Sequence, residues 1–295
     1  MTARARWGQN FLIDRQVAER IVAWAQIEDR PVVEIGPGRG ALTSLLAERA
    51  SSLTLIEIDP KLASSLRERF AADERVRVVE GDVLRMDLAG VMSPGTHVVS
   101  NLPYESGTAI VASLLRMRGV VQEMVVMLQK EVVERIAAAP GSKTFGGLTV
   151  LVQMTADVKK GLVVAPRAFR PRPKVESQVV RIRVLDSPRL DVGDEATLRE
   201  VVYASFGNRR KMLRNSLGRW LEERVGIAGA ERVFAAAGVA STVRPEDLPL
   251  AAFAALSRAA VAERASAGGA AGATTDAGAT TDAGATADAG ATTDA

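Results

Sequence analysis

Pro31-Val32-Val33-Glu34-Ile35-Gly36-Pro37-Gly38-Arg39-Gly40 carries a β-branched run straight into a glycine-rich turn, and Ala41-Leu42-Thr43-Ser44-Leu45-Leu46-Ala47 follows as a helix-like stretch. Strand, glycine turn and helix in that order open a β–α–β unit, because glycine lets the backbone turn sharply with no Cβ in the way. The same alternation repeats outward. Leu53–Asp59, Val76–Glu80, His97–Ser100 and Met124–Leu128 read as strands, with helix-like Lys61–Phe70 and Thr108–Arg116 between them. Such alternation predicts parallel strands joined by right-handed crossovers, an α/β doubly wound, Rossmann-like sheet. Val175–Val184 alternates with period two and is expected as a late antiparallel edge strand.

Asp186–Asp194 has loop chemistry, and beyond it the pattern turns helical as far as about Glu263. Residues 1–185 are therefore expected to form the α/β domain and 186–264 a small α-helical domain. From Ala271 the unit Ala-Gly-Ala-Thr-Thr-Asp recurs to the end with one variation, and 265–295 contain no large apolar side chain. Nothing there offsets the entropy of ordering, so 265–295 is expected to be a disordered tail.

Of 295 residues, 47% are apolar and 25% charged, a globular balance with room for a core. The absence of cysteine excludes disulfides, thiolate metal sites and a cysteine nucleophile. No metal site is expected. No apolar run approaches the roughly 18 residues that span a bilayer, and Met1–Asn10 lacks a signal-peptide core. A cytoplasmic chain without a membrane partner is expected. The net charge of +3 hides an uneven distribution: residues 159–224 carry 16 Lys and Arg against 8 Asp and Glu. A basic segment beside a near-neutral domain suits a polyanion, although a solvated surface would have the same composition.

The glycine turn admits two ligands. Gly36-x-Gly38-x-x-Ala41 fits the dinucleotide fingerprint, with Glu57 about 20 residues on to hold a ribose. Gly40, however, completes G-x-G-x-G, and Glu34 sets a carboxylate beside the turn. That carboxylate repels a pyrophosphate and attracts an ammonium, which favours S-adenosylmethionine. Asp82, ending a third strand, can accept a hydrogen bond from an adenine amine. Each acid alone could equally cap a strand end, but three on successive strand ends point to a ligand.

Asn101-Leu102-Pro103-Tyr104 follows the fourth strand. The lone pair of an exocyclic adenine amine is delocalised into its ring. The Asn101 amide oxygen and the Leu102 carbonyl can accept hydrogen bonds from that amine and draw the nitrogen toward tetrahedral geometry. Pro103 keeps Leu102 extended, and Tyr104 can stack on the base. Phe169, ahead of Arg170, Pro171, Arg172, Pro173 and Lys174, can offer a second stacking wall for a flipped base or instead plug the core. His97, the sole histidine, starts a strand and reads as structural.

These residues, with Gly8–Asp14, Ile56–Asp59, Gln129–Val132, Pro140–Lys143 and Asn208–Leu217, closely resemble the bacterial 16S ribosomal RNA adenine dimethyltransferases from about Trp7 to Ser257. The resemblance implies a class I methyltransferase fold and S-adenosylmethionine as cofactor. It also implies two methyl groups transferred to each of two adjacent adenosines near the 3′ end of 16S rRNA, in an assembling small subunit. Nothing in the sequence demands more than a monomer. Gln9, Asn10 and Leu12 would close over the cofactor. Glu57 would bind its ribose, Asp82 and Val83 its adenine, and Glu34, Gly36, Gly38, Gly40 and Asn101 its methionine end. Asn101, Leu102, Tyr104 and Phe169 would receive the target base. Arg170, Arg172, Lys174, Arg209, Arg210, Lys211 and Arg214 would meet RNA phosphates. One departure stands out: after Tyr104 the family usually shows Asn-Ile-Ser-Thr-Pro, and this chain has Glu105-Ser106-Gly107-Thr108-Ala109. The alternatives are a 23S rRNA adenine methyltransferase, a mainly structural assembly factor and a nicotinamide oxidoreductase.

Overall fold

The computed structural model describes residues 10–208 and 211–273. It opens with β1 (Phe11–Leu12), α1 (Arg15–Ala25), β2 (Pro31–Ile35), α2 (Thr43–Ala47), β3 (Ser52–Glu57), α3 (Pro60–Arg69) and β4 (Val76–Glu80). It continues through β5 (Thr96–Asn101), α4 (Gly107–Leu114), β6 (Val121–Gln129), α5 (Lys130–Ile136), α6 (Gly147–Thr155), β7 (Ala156–Val164), β8 (Phe169–Arg170) and β9 (Ser177–Val184). Three helical elements end it: α7 (Glu195–Phe206), α8 (Leu217–Ala237) and α9 (Leu250–Ala273).

Seven strands make one sheet in the order β4-β3-β2-β5-β6-β9-β7, and β1 with β8 forms a separate antiparallel pair. β2 to β6 run parallel, while β9 is antiparallel to both of its neighbours. Alternation along the strands fills two cores at once. Val33, Val98, Met124, Val126, Val180 and Ile182 face α4, α5 and α6. Val32, Val99, Val125, Met127 and Val179 face α1 and α2. A sheet buried on both faces needs apolar residues at nearly every position, which is why these runs are continuous rather than half polar. Local chemistry sets the helix starts: Asp14, Asp59 and Asp194 accept the backbone N–H of Val17, Lys61 and Thr197 at 3.2, 2.9 and 2.6 Å.

Fold class agrees with the sequence, with one correction. β9 is antiparallel as expected but lies inside the sheet; the edge is β7. Lys159-Lys160-Gly161 interrupts the apolar pattern of β7, and its register slips between Lys160 and Val163, so no strand was legible there. Trp24 explains the glycine: a Cβ on Gly161 would fall 2.7 Å from its ring, and the Arg181 guanidinium lies over the same ring, 4.8 Å from its centroid. A third core unites α6 with α7, α8 and α9 through Phe145, Val201, Leu217 and Phe253. α8 is broken at Gly226 (φ 72°, ψ 171°). α9 continues to Ala273, into the stretch expected as tail, on residues dominated by alanine, the strongest helix former. Residues 274–295 lie outside the described residues.

Gly161→Val should force the Trp24 ring from its seat and cost about 1–3 kcal/mol of stability, read as a lowered urea midpoint. An unchanged midpoint would show that the ring moves freely.

Candidate active site

The strand order reverses between β2 and β5, and a cavity opens there at the carboxyl ends of the parallel strands, the ligand edge of such sheets. Its walls come from Asn10 to Leu12, the glycine turn, Glu34, Glu57, Ile58 and Asn101 to Tyr104. Gly36 and Gly38 have φ of +66° and +59°, a region that L side chains rarely adopt. A Cβ on Gly38 would also lie 3.0 Å from the Phe11 ring.

Two buried carboxyl groups organise the turn. Glu57 ends β3; one of its oxygens accepts the Gly38 N–H at 2.9 Å and the other the Asp59 N–H at 3.0 Å. Burial raises its pKa, and those N–H donors pull it back toward the charged form. Glu34, inside β2 and 2% exposed, accepts the Thr43 hydroxyl at 2.6 Å. Burial pushes its pKa up to about 8, the Thr43 bond opposes the rise and the charge of Glu57 adds to it. Glu34 is thus a largely protonated acid near neutral pH, and a cation beside it would favour its ionised form.

The loop after β5 presents the opposite wall. Leu102 N–H donates to the Met127 carbonyl at 3.1 Å, which ties the loop to β6. The Asn101 side-chain nitrogen donates to the Asn10 carbonyl at 3.3 Å, so its Oδ1 points elsewhere. Tyr104 is half-buried, and its hydroxyl shares a 2.6 Å hydrogen bond with the Ser177 hydroxyl at the start of β9. Burial raises the Tyr104 pKa, so the phenol keeps its proton.

Of the residues singled out from sequence, Asn10, Leu12, Glu34, Gly36, Gly38, Glu57, Asn101, Leu102 and Tyr104 line this one cavity. Gly40 does not; the Arg69 guanidinium lies against it. Asp82 and Val83, beyond β4, also stand outside the lining. The Asp82 carboxylate accepts the Leu84 N–H at 3.0 Å and pairs with Arg85 at 3.4 Å, and Val83 is buried in the core. Phe169 is 3% exposed, packed in the core with Leu12, its partner across the β1–β8 pair. Arg170, Arg172, Lys174, Lys211 and Arg214 are exposed. Gln9, Arg209 and Arg210 lie outside the described residues. Glu105, directly after Tyr104, is exposed. His97 sits at the start of β5, the end away from the cavity. No cluster of metal-binding side chains occurs among the described residues. Phe11 was missed: it lines the cavity, covers Gly38 and carries the Arg39 guanidinium 4.7 Å above its ring. An aromatic side chain in a two-residue strand gives no periodic signal.

Comparison with known proteins gives a consistent result. The family described as "Ribosomal RNA adenine dimethylase" matches residues 1–250. "Ribosomal RNA small subunit methyltransferase A" of Geobacter sulfurreducens is 44% identical over 266 residues, covering 88% of this chain and 96% of that protein. Among solved structures, a dimethyladenosine transferase from Plasmodium falciparum superposes with a TM-score of 0.73 at 24% identity, covering 88% of this chain and 98% of that one. The 23S rRNA methyltransferase ErmE superposes with a TM-score of 0.60 at 28% identity, covering 85% and 99%.

Glu34 makes stability depend on pH. The folded protein keeps the Glu34 proton up to about pH 8, whereas an unperturbed glutamate releases it near 4.5. The folded state therefore binds the extra proton across that window, and stability falls as pH rises through it. Glu34→Gln should flatten this fall, so the melting temperatures of variant and wild type should diverge between pH 5 and pH 8. Parallel profiles would contradict a buried, protonated Glu34.

Proposed function

The chain belongs to the ribosomal RNA adenine dimethylase family, and from that premise we propose that it transfers methyl groups from S-adenosylmethionine to N6 of two adjacent adenosines near the 3′ end of small-subunit rRNA. The immature small subunit is the proposed partner. The observation that carries this reading is the orientation of Asn101: its amide nitrogen is engaged by Asn10, and its oxygen remains to accept, on the wall facing Glu57 and the glycine turn.

The residues of the cavity fit the cofactor. Two glycines keep Cβ atoms out of a turn that Glu57 fixes, and Glu34 offers an acid to a cationic amine. In the proposed assignment, Glu57 holds the ribose and Glu34, Gly36 and Gly38 receive the methionine end. Asn10, Phe11 and Leu12 cover the site, and Asp82 and Val83 stand toward the adenine. When bound, S-adenosylmethionine supplies a methyl group on a sulfonium, open to in-line attack. Oδ1 of Asn101 and the Leu102 carbonyl accept hydrogen bonds from the two N–H groups of the target amine, so its lone pair leaves conjugation and turns toward the cavity; the proton released when the nitrogen gains its methyl group passes to water. The Tyr104 ring, held by Ser177, supports the base, while Phe169 backs Leu12 from the core. Placement of both reactants supplies much of the rate, so no strong base is required. The exposed Arg170, Arg172, Lys174, Lys211 and Arg214, with Arg209 and Arg210, neutralise phosphates of the rRNA.

The direct test is transfer of a radiolabelled methyl group to undermethylated subunits, followed by mapping of the modified nucleotides. Label in adjacent adenosines of the small subunit is expected, and label in the large subunit would establish the 23S alternative instead. Tyr104→Ala should lower methylation by about two orders of magnitude, as loss of base placement does, while cofactor affinity in calorimetry stays near wild type. Glu57→Ala should instead weaken cofactor binding about tenfold to a hundredfold, the worth of a charge-assisted hydrogen bond. Reversal of these two phenotypes would overturn the division of roles.

A further inference from the structure

A second cavity, of about 330 Å³, lies between α4, α6 and α7, within the size range of sites that hold a nucleobase or a small ligand. Its position follows from the topology. α6 runs directly into β7, whose first residue Ala156 pairs with Val184, the far end of β9 from the reaction edge. α6 therefore descends from the reaction edge, as does α4, which leaves the Asn101–Tyr104 loop. α7 climbs back: Glu195 at its start is held by Arg118, just past α4, at 2.6 and 3.0 Å. Val202 and Phe206 near its end lie against Gly147, the first residue of α6. The result is a furrow with that ion pair at its lower end and with Ala109, Leu148 and Tyr203 toward the reaction edge.

The furrow carries the chemistry of a nucleotide. Ala109, Ala112, Leu148 and Leu198 give an apolar floor on which the flat face of a base can rest. Tyr203, 59% exposed, presents an aromatic ring in the upper wall. Two guanidinium groups, Arg116 and Arg199, border it. Glu195 is engaged by Arg118 and Glu200 by Arg264; among the described residues neither border arginine forms a salt bridge, Arg116 donating to the Ser113 hydroxyl at 3.5 Å and Arg199 facing the field of Asp194. An aromatic ring with cations along an apolar groove is the pattern that binds single-stranded nucleic acid, stacking for bases and charge for phosphates. Ala109 and Ala112 of α4, with Arg116 two residues past its end, border the furrow on one side.

We infer that this furrow is a second nucleotide site, which holds an unpaired nucleotide flanking the target adenosine, its base on Tyr203 and its phosphates on Arg116 and Arg199. The inference rests on the rRNA reading of the reaction centre and adds to it a place for the neighbouring strand. The expected occupant is RNA rather than an acidic protein segment, because an aromatic ring over a shallow apolar floor favours a planar base.

The test uses the full chain and undermethylated small subunits. Arg116→Gln combined with Arg199→Gln should weaken subunit binding about tenfold and make the log–log salt dependence shallower by about 1.4, two single-strand phosphate contacts. Cofactor affinity and melting temperature should not change. Photoreactive benzoylphenylalanine in place of Tyr203 should crosslink to rRNA next to the methylated adenosines. Unchanged affinity and salt slope, or a crosslink to a ribosomal protein, would overturn the inference. A wild-type protein that leaves small-subunit RNA unmethylated refutes the function itself; methylation by wild type with an indistinguishable double variant refutes only the furrow.

Discussion

The carboxylate of Glu57 sets the spacing on which the cavity depends. One oxygen holds the glycine turn after β2 and the other holds Asp59, which caps α3 after β3. Two successive strand-to-helix turns are thereby locked at a fixed separation by a single group with no freedom of its own. Desolvation works against the charge and the N–H donors sustain it. The positive φ angles of the turn, the seat of the Phe11 ring and the position of Pro103, 3.9 Å from where a Cβ on Gly36 would lie, are arranged around that clamp.

What could be read from sequence follows from where each signal originates. β2, β5 and the inner parts of β3 and β6 were legible because both faces of a central parallel strand are buried, which favours apolar residues throughout, and the edge strand β4 was legible from Val76, Val78 and Val79. The helical character of residues 195–263 was legible, but its division into three helices was not, because α8 and α9 present no single apolar face. β7 was not, since half of it faces water and Lys159, Lys160 and Gly161 erase the alternation. At the cavity, residues with a chemical signature stood out: Glu34, Glu57, the glycines, Asn101 and Tyr104. Phe11 did not, because its place over Gly38 comes from the pairing of β1 with β8, about 160 residues away in the chain. The protonation of Glu34 was equally out of reach, since it depends on how completely its surroundings exclude water.

The wall opposite the carboxylates shows how a short loop acquires a fixed shape. Leu102 is bonded to β6, Asn101 to the segment before β1, and Tyr104 to the first residue of β9. Three elements distant in sequence therefore define four consecutive residues. The sheet is the common frame: Ser177 lies between Gln129 of β6 and Val164 of β7 in register. The identity of each loop residue can then serve chemistry, because other parts of the chain supply its geometry.

The rim strand β7 has a consequence for life at high concentration. A sheet margin exposes unsatisfied main-chain donors and acceptors that another polypeptide could zip onto. Here the margin carries adjacent ammonium side chains, an irregular register and a glycine beneath a large indole. Any intruding strand would have to desolvate those ammonium groups and straighten the kink. The residues that hid this strand from sequence analysis are thus the same ones that guard the folded molecule against fibril-like association.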